Sequence, residues 1–166
     1  MDRSRGRILG DNMRSLQNHG VRNVAEIESV REFRPELAAA IESYHEFAAS
    51  MVDPAVVELC KLRIAQIQRK LNGAIEPSPA TRAAGLTDGQ LRDLAFWQGS
   101  DQFDAQQKAC LELAEYFCYT AQGVTDEQVE HVAEHLSTEQ ILTLTAGLWV
   151  TDASTRLATY LDSLGV

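Results

Sequence analysis

Apolar residues recur at intervals of three and four along most of the chain, which is the spacing of an amphipathic helix. The segment 35–51 begins at a proline, which suits a first helical turn. A second helix starts at Asp53-Pro54, and its apolar stripe predicts that it continues to Asn72-Gly73. The two stripes consist of Leu37, Ile41, Tyr44, Ala48 and Met51, and of Val57, Cys60, Ile64, Ile67 and Leu71.

The remainder of the chain also has helical patterning. Pro77 and Pro79 interrupt it, and a short helix is predicted to restart with Ser78 as its cap and to end at Gly85. The last helix is apolar on nearly every side over 141–150, which predicts the buried centre of a bundle. Other helices are predicted over 88–96 after Thr87, over 104–122 after a loop at 97–102, from Thr125, and over 137–164.

Nothing in the chain has the period of a strand, so the predicted fold class is all-α with a single domain. The domain spans residues 35–166, and residues 1–34 form an N-terminal extension with a possible short helix over 8–18. The boundary is placed at Arg34-Pro35 because a residue before proline avoids helical backbone angles.

The composition limits the possible partners. The 166 residues include 15 Lys and Arg against 24 Asp and Glu, a net charge of -9. Nucleic acids and anionic membranes are bound largely through cations, so neither is expected as a partner. The uncharged stretch 140–151 is too short to span a bilayer, and we expect a cytoplasmic protein. Three cysteines without a Cys-x-x-Cys do not favour a disulfide framework.

Two motifs carry a resemblance to a known family. Glu-x-x-x-Leu-Arg-x-Ala-Gln begins at Glu58, and Arg-Ala-Ala-Gly-Leu-Thr-Asp begins at Arg82. Both motifs resemble segments of the carboxymuconolactone decarboxylase and AhpD-like alkylhydroperoxidase superfamily. The likeness covers residues 35–164. The resemblance implies an AhpD-like helical bundle. It also implies a homo-oligomer, a trimer or a larger ring such as a hexamer.

The segment between the motifs lacks the family's redox residues. In redox-active members a Cys-x-x-Cys and then a His follow the Glu at fixed distance and reduce a hydroperoxide. The corresponding places here hold Lys70, Gly73 and Pro77. None of these can attack a peroxide as a thiolate does and then close a disulfide. The resemblance therefore implies the fold without the peroxidase activity.

Five residues are candidates for a site. Glu58 occupies the place of the family's proton-relay glutamate, although the helix dipole also favours an acid there. Lys70, at the first cysteine position, is either a desolvated lysine that acts on a carbonyl or a solvated cation at a helix C-terminus. His45, Asn72 and Trp97 are the predicted pocket residues. Packing against aromatic neighbours is the alternative for His45, and a core position is the alternative for Trp97.

Other reactive side chains have simpler interpretations. His131 and His135 are four apart on one helix, where two imidazoles can share a metal, but no third ligand is evident nearby and we predict neither a metal nor a cofactor. Cys60 lies on the buried stripe and is interpreted as a small apolar residue. Arg63 and Arg156 are expected to form structural ion pairs with carboxylates.

Three functions remain open. The first is an enzyme that acts by acid and base on a small carbonyl or carboxylate compound, as the family's decarboxylase branch does, with Glu58 as acid or base. Lys70, Asn72 or His45 would orient the substrate. The second is an inactive relative that binds a small molecule or a partner. The third is a peroxidase using Cys60 and an outside thiol, which we disfavour because no nearby cation would keep Cys60 a thiolate.

Overall fold

The computed structural model describes residues 27–119 and 124–164, and every regular element in these ranges is helical. This confirms the all-α fold class, while the predicted helix over 8–18 lies outside the described residues. None of the described helices is long and apolar enough to cross a membrane. The helices are α1 (Glu28–Phe33), α2 (Pro35–Met51), α3 (Pro54–Gln68), α4 (Pro79–Ala83), α5 (Asp88–Asp93), a 3-10 helix (Leu94–Gly99), α6 (Ala105–Tyr119), α7 (Asp126–Ala133) and α8 (Thr138–Leu164).

Helix α3 is the centre of the bundle. Ten of its 15 residues are buried, and it packs mainly against α6 and α8. The prediction that segment 141–150 of α8 forms the buried centre is wrong, because Leu142 and Trp149 are 66% and 54% exposed. Segment 141–150 is apolar on nearly every side, yet the described residues leave the face with these two side chains uncovered.

Apolar side chains form a core on each side of α3. Val57, Cys60 and Ile64 pack with residues of α2, α6, α7 and α8. Leu59 and Leu62 pack in a second cluster with residues of α5, the 3-10 helix and α6. A smaller third cluster joins α1 to α2 and α8. Helix α1, which precedes the predicted domain boundary, therefore packs against the bundle.

Helix α3 ends earlier than the sequence pattern predicted. The helix stops at Gln68 rather than continuing to Asn72. Lys70 has φ 55°, which is left-handed backbone, and the N–H groups of Lys70 and Leu71 donate back to carbonyls of α3 at 3.1 and 2.8 Å. This arrangement is a Schellman motif, which satisfies the last carbonyl groups of a helix. Local hydrogen bonding thus ends the helix at Gln68, although the next residue, Arg69, is a good helix former.

Most other helix starts lie where their caps predicted them. Ser78, Thr87 and Thr125 cap α4, α5 and α7. The predicted helix over 88–96 and the loop after it need correction. Regular α-helix gives way to the 3-10 helix, which breaks at Phe96 with φ -127° and ψ 32°. This break turns Trp97 into the core and leaves Phe96 71% exposed.

Candidate functional site

Glu58 and Lys61 form an ion pair in the first half of α3. Asp53 caps this helix by accepting a hydrogen bond from the Ala55 N–H, so the helix has a well-fixed start. Glu58 Oε2 accepts a hydrogen bond of 2.7 Å from Lys61 Nζ. The two side chains are only 10% and 19% exposed, respectively. Charges shielded from water in this way act on their neighbours more strongly than charges at the surface.

Lys61 also lines a small cavity between α2, α3 and α8. His45, Cys60, Lys61 and Thr151 line it together with apolar residues. Its volume of about 10 Å³ is enough for about one water molecule. We refer to Glu58, Lys61, His45 and Thr151 together as the Glu58 site.

Thr151 of α8 fixes the tautomer of His45. His45 Nε2 lies 3.0 Å from Thr151 Oγ1, and the Thr151 hydroxyl donates to the Gly147 carbonyl at 2.8 Å. Because the hydroxyl proton is already used, the oxygen accepts and His45 Nε2 is the donor. The other ring nitrogen, Nδ1, therefore keeps its lone pair.

The imidazole of His45 is neutral at physiological pH. Burial, followed by the positive charge of Lys61, lowers the pKa of His45 to about 4. A neutral imidazole with a fixed tautomer can orient a ligand by hydrogen bonding, but it is a weak base. His45 is therefore suited to positioning a ligand rather than to acting as a general base.

The cysteine thiols are poorly suited to nucleophilic chemistry. Cys60 is 1% exposed and its Sγ donates to the Cys110 carbonyl at 3.5 Å. Burial, followed by the proximity of Cys110, raises the pKa of Cys60 well above its usual value. Burial also raises the pKa of Cys110 to about 12 and that of Cys118 to about 11. All three thiols are protonated at neutral pH, and a protonated thiol is a weak nucleophile.

The structure does not bring Lys70 or Asn72 to Glu58. Both are exposed beyond the end of α3. The ten residue-to-residue steps from Glu58 to Gln68 alone extend about 15 Å along the helix axis. Lys70 instead occupies the left-handed position of the Schellman motif that ends α3.

Trp97 lies in the core on the opposite side of α3 from His45. It is 6% exposed, and its indole N–H donates to Glu115 Oε1 at 2.8 Å. Arg63 Nε donates to the same oxygen at 2.6 Å. Trp97 is thus part of a structural hydrogen-bond network, and the predicted ion pair of Arg63 has Glu115 as its partner.

A second predicted ion pair is confirmed on α8. Arg156 Nε donates to Asp152 Oδ2 at 2.7 Å. The Gln68 amide also donates to Asp152, which ties the end of α3 to α8.

Sequence reasoning missed two residues of the Glu58 site. Lys61 is three residues after Glu58 on one helix, and this spacing signals an ion pair. No sequence pattern indicated that Thr151 belongs to the site, because it lies 106 residues from His45 in the chain.

A different group of side chains is suited to a metal ion. The ligand atoms of His131, Glu134 and His135 all lie within 4.8 Å of one another. Glu112 of α6 adds a carboxylate, with Oε2 at 3.2 Å from His131 Nδ1. The sequence showed the two histidines without a third ligand, and the structure supplies one from their own segment.

In the Glu58 site a shielded carboxylate is paired with the ammonium group of Lys61, and Lys61 lines a cavity together with the neutral imidazole of His45. Such a set can attract a carboxylate, polarise a carbonyl and exchange a proton. The chain matches no protein-family model, and no curated protein shows significant similarity to it.

Proposed function

We propose that this chain is a divergent relative of the carboxymuconolactone decarboxylase and AhpD-like superfamily that acts without redox chemistry. Its Glu58 site would act by acid and base on a small carbonyl or carboxylate compound. The observation that supports this most is the shielded Glu58–Lys61 ion pair, whose lysine shares a cavity with neutral His45. The motif beginning at Glu58 is also the one that resembles the family.

Each side chain has a role in this proposal. The Lys61 ammonium attracts the ligand's carboxylate and draws it away from water. Glu58, which accepts the Lys61 hydrogen bond at 2.7 Å in the described state, is released from it and exchanges a proton with the ligand. His45 orients the ligand through Nδ1, because its Nε2 proton is held by Thr151. Lys70 and Asn72 take no part, since both lie beyond the end of α3.

Binding without catalysis is the second candidate. The cavity of about 10 Å³ accommodates about one water molecule, far less than a substrate. A ligand must therefore widen the space between α2, α3 and α8 or bind at its mouth. A peroxidase that uses Cys60 is the least favoured function, because burial keeps that thiol protonated.

We further propose that the protein is a cytoplasmic homo-oligomer, a trimer or hexamer as the resemblance implies. The uncovered apolar side chains of α8, Leu142 and Trp149, support contact between copies of the chain. Sedimentation of the wild type and of Trp149→Glu tests this. The variant is expected to dissociate, and a monomeric wild type would contradict the proposal.

Release of carbon dioxide from oxaloacetate and acetoacetate tests the acid-base proposal. The wild type is expected to accelerate release from at least one of them, with Glu58→Gln and Lys61→Met each at least tenfold slower. Glu115→Gln is the matched control, because Glu115 is also a shielded, ion-paired carboxylate, 17% exposed, but lies in the Trp97 network. Saturable binding without turnover would favour the second candidate. Equal rates for wild type and Glu58→Gln would contradict the proposed chemistry.

A further inference from the structure

A helical segment at residues 125–136 carries two partly exposed histidines one turn apart. Thr125 caps helix α7, and the backbone continues helically past the last residue of α7, with the His135 and Leu136 N–H groups bonded to the Val132 carbonyl at 3.0 Å. Val132 and Leu136 are 1% and 5% exposed and fasten this segment to the core. Each is preceded by a histidine, His131 or His135, so the core anchors also fix the positions of the two imidazoles.

The side chains around these histidines form a ligand set. The His131 and His135 ring centroids are 6.1 Å apart, and the ligand atoms of both rings and of Glu134 lie within 4.8 Å of one another. In a tetrahedral zinc site the ligand atoms are about 3.3 Å apart, given metal–ligand distances of about 2.0–2.1 Å. Rotations about the side-chain bonds that move each ligand atom by about 1 Å close this difference.

Glu112 provides the outer shell that metal-binding histidines commonly have. Its Oε2 lies 3.2 Å from His131 Nδ1, and it belongs to a different helix, α6. When Nδ1–H donates to this carboxylate, the lone pair of Nε2 is available for a metal. Such carboxylate–histidine pairs orient the ring and increase its strength as a ligand.

The charge of the segment favours a cation. Residues 126–135 contain four acidic side chains and no Lys or Arg. Mg²⁺ and Ca²⁺ prefer oxygen ligands, so a site with two imidazole nitrogens suits them poorly. Such a site favours Zn²⁺ and its neighbours Cu²⁺, Ni²⁺ and Co²⁺.

We propose that His131, His135 and Glu134, with Glu112 behind His131, form a binding site for a divalent transition metal of the Zn²⁺ class. Three protein ligands leave a fourth position open to water or to an outside ligand. Through Glu112 the site links α7 to α6. It is independent of the Glu58 site, which lies between α2, α3 and α8.

Calorimetric titration of the untagged full chain with Zn²⁺ in chelator-treated buffer tests this inference. We expect one Zn²⁺ per chain. His131→Gln and His135→Gln should each weaken binding more than tenfold, and Glu112→Gln about tenfold or more, the usual effect of removing an outer-shell carboxylate. Glu127→Gln is the matched control, because it removes the same charge from α7 outside the ligand set, and its affinity should change less than twofold.

Two further measurements distinguish binding at this site from a folding defect in the variants and from metal binding by cysteine. Circular dichroism of each variant verifies that the fold is kept, which we expect because these side chains are at the surface. The Co²⁺ complex should lack a sulfur-to-metal charge-transfer band, since no thiolate takes part. Absence of Zn²⁺ binding, unchanged affinity in the double histidine variant, or a thiolate band would each overturn the proposal.

Discussion

Replacing Lys70 with glycine tests whether this residue serves the helix end or the chemistry. Lys70 has φ 55° in the Schellman motif that ends α3. A residue with a Cβ atom has a cost of roughly 1–2 kcal/mol in the left-handed region. Glycine avoids this cost but loses about 0.4–1 kcal/mol more of conformational entropy on folding. The gain from the backbone change alone in Lys70→Gly is expected to be about 0.5–1 kcal/mol.

The loss of the lysine charge has to be separated from this gain. A cation near a helix C-terminus contributes about 0.3–1 kcal/mol at most when exposed. Lys70→Ala loses the same charge and keeps the Cβ atom, so the glycine variant should be more stable than the alanine variant by about 0.5–1 kcal/mol. For a chain of this size the corresponding difference in melting temperature is about 1–4 °C.

Urea unfolding followed by far-ultraviolet circular dichroism measures these differences. The denaturant slopes of the variants must agree, so that midpoints can be compared as stabilities. Lys108→Gly lies inside α6 and is the control for glycine in regular helix, where it should cost about 1 kcal/mol. If Lys70→Gly is no more stable than Lys70→Ala, the left-handed backbone conformation assigned to Lys70 is wrong. If it is more stable but loses the activity of the wild type, Lys70 has a chemical role that the proposed site omits.

Three further predictions concern individual side chains. The pKa of His45 is about 4 in the folded state, below the value of about 6.5 in an unfolded chain. The contribution of neutral His45 to the free energy of unfolding is therefore present above pH 6.5 and is lost as the pH falls to 4. Urea unfolding from pH 7 to 4 should therefore show wild type losing about 3 kcal/mol more than His45→Gln, and parallel profiles would contradict the neutral imidazole. Cys60 should resist Ellman's reagent in the native protein and react once guanidinium unfolds it, so rapid native labelling of Cys60 would reopen the peroxidase function. Trp97→Phe removes the hydrogen bond to Glu115 and should lower stability by about 1–3 kcal/mol with activity unchanged, whereas a loss of activity at equal stability would place Trp97 in the site.

Local patterns predicted the helices well because their causes are local. The proline at the start of α2 and the caps Ser78, Thr87 and Thr125 act within one turn of the residues they organise. The end of α3 was missed because Lys70, a residue with no special preference for left-handed backbone, occupies the place where glycine is usual. Propensity favoured a longer helix, and the Schellman hydrogen bonds determined a shorter one.

The candidate site was predictable only where it lies within one helix. Glu58 was found from its motif, and the Lys61 pair follows from a separation of three residues. His45 and Thr151 meet through the packing of α2 on α8, which no single segment encodes. The interpretation of α8 failed for a related reason. Apolar residues on every side of a helix predict burial, but Leu142 and Trp149 are exposed in the described chain.

The central claim is that the Glu58 site, rather than Lys70, receives a small carbonyl or carboxylate compound. Nitrogen NMR of the His45 ring during titration with pyruvate tests it most directly, because His45 and Lys61 line the same cavity. We predict a saturable shift of the His45 signals in the wild type, its loss in Lys61→Met, and its retention in Lys70→Gly. A wild type whose His45 signals do not respond to millimolar pyruvate, or a response that survives Lys61→Met and disappears in Lys70→Gly, would contradict the claim.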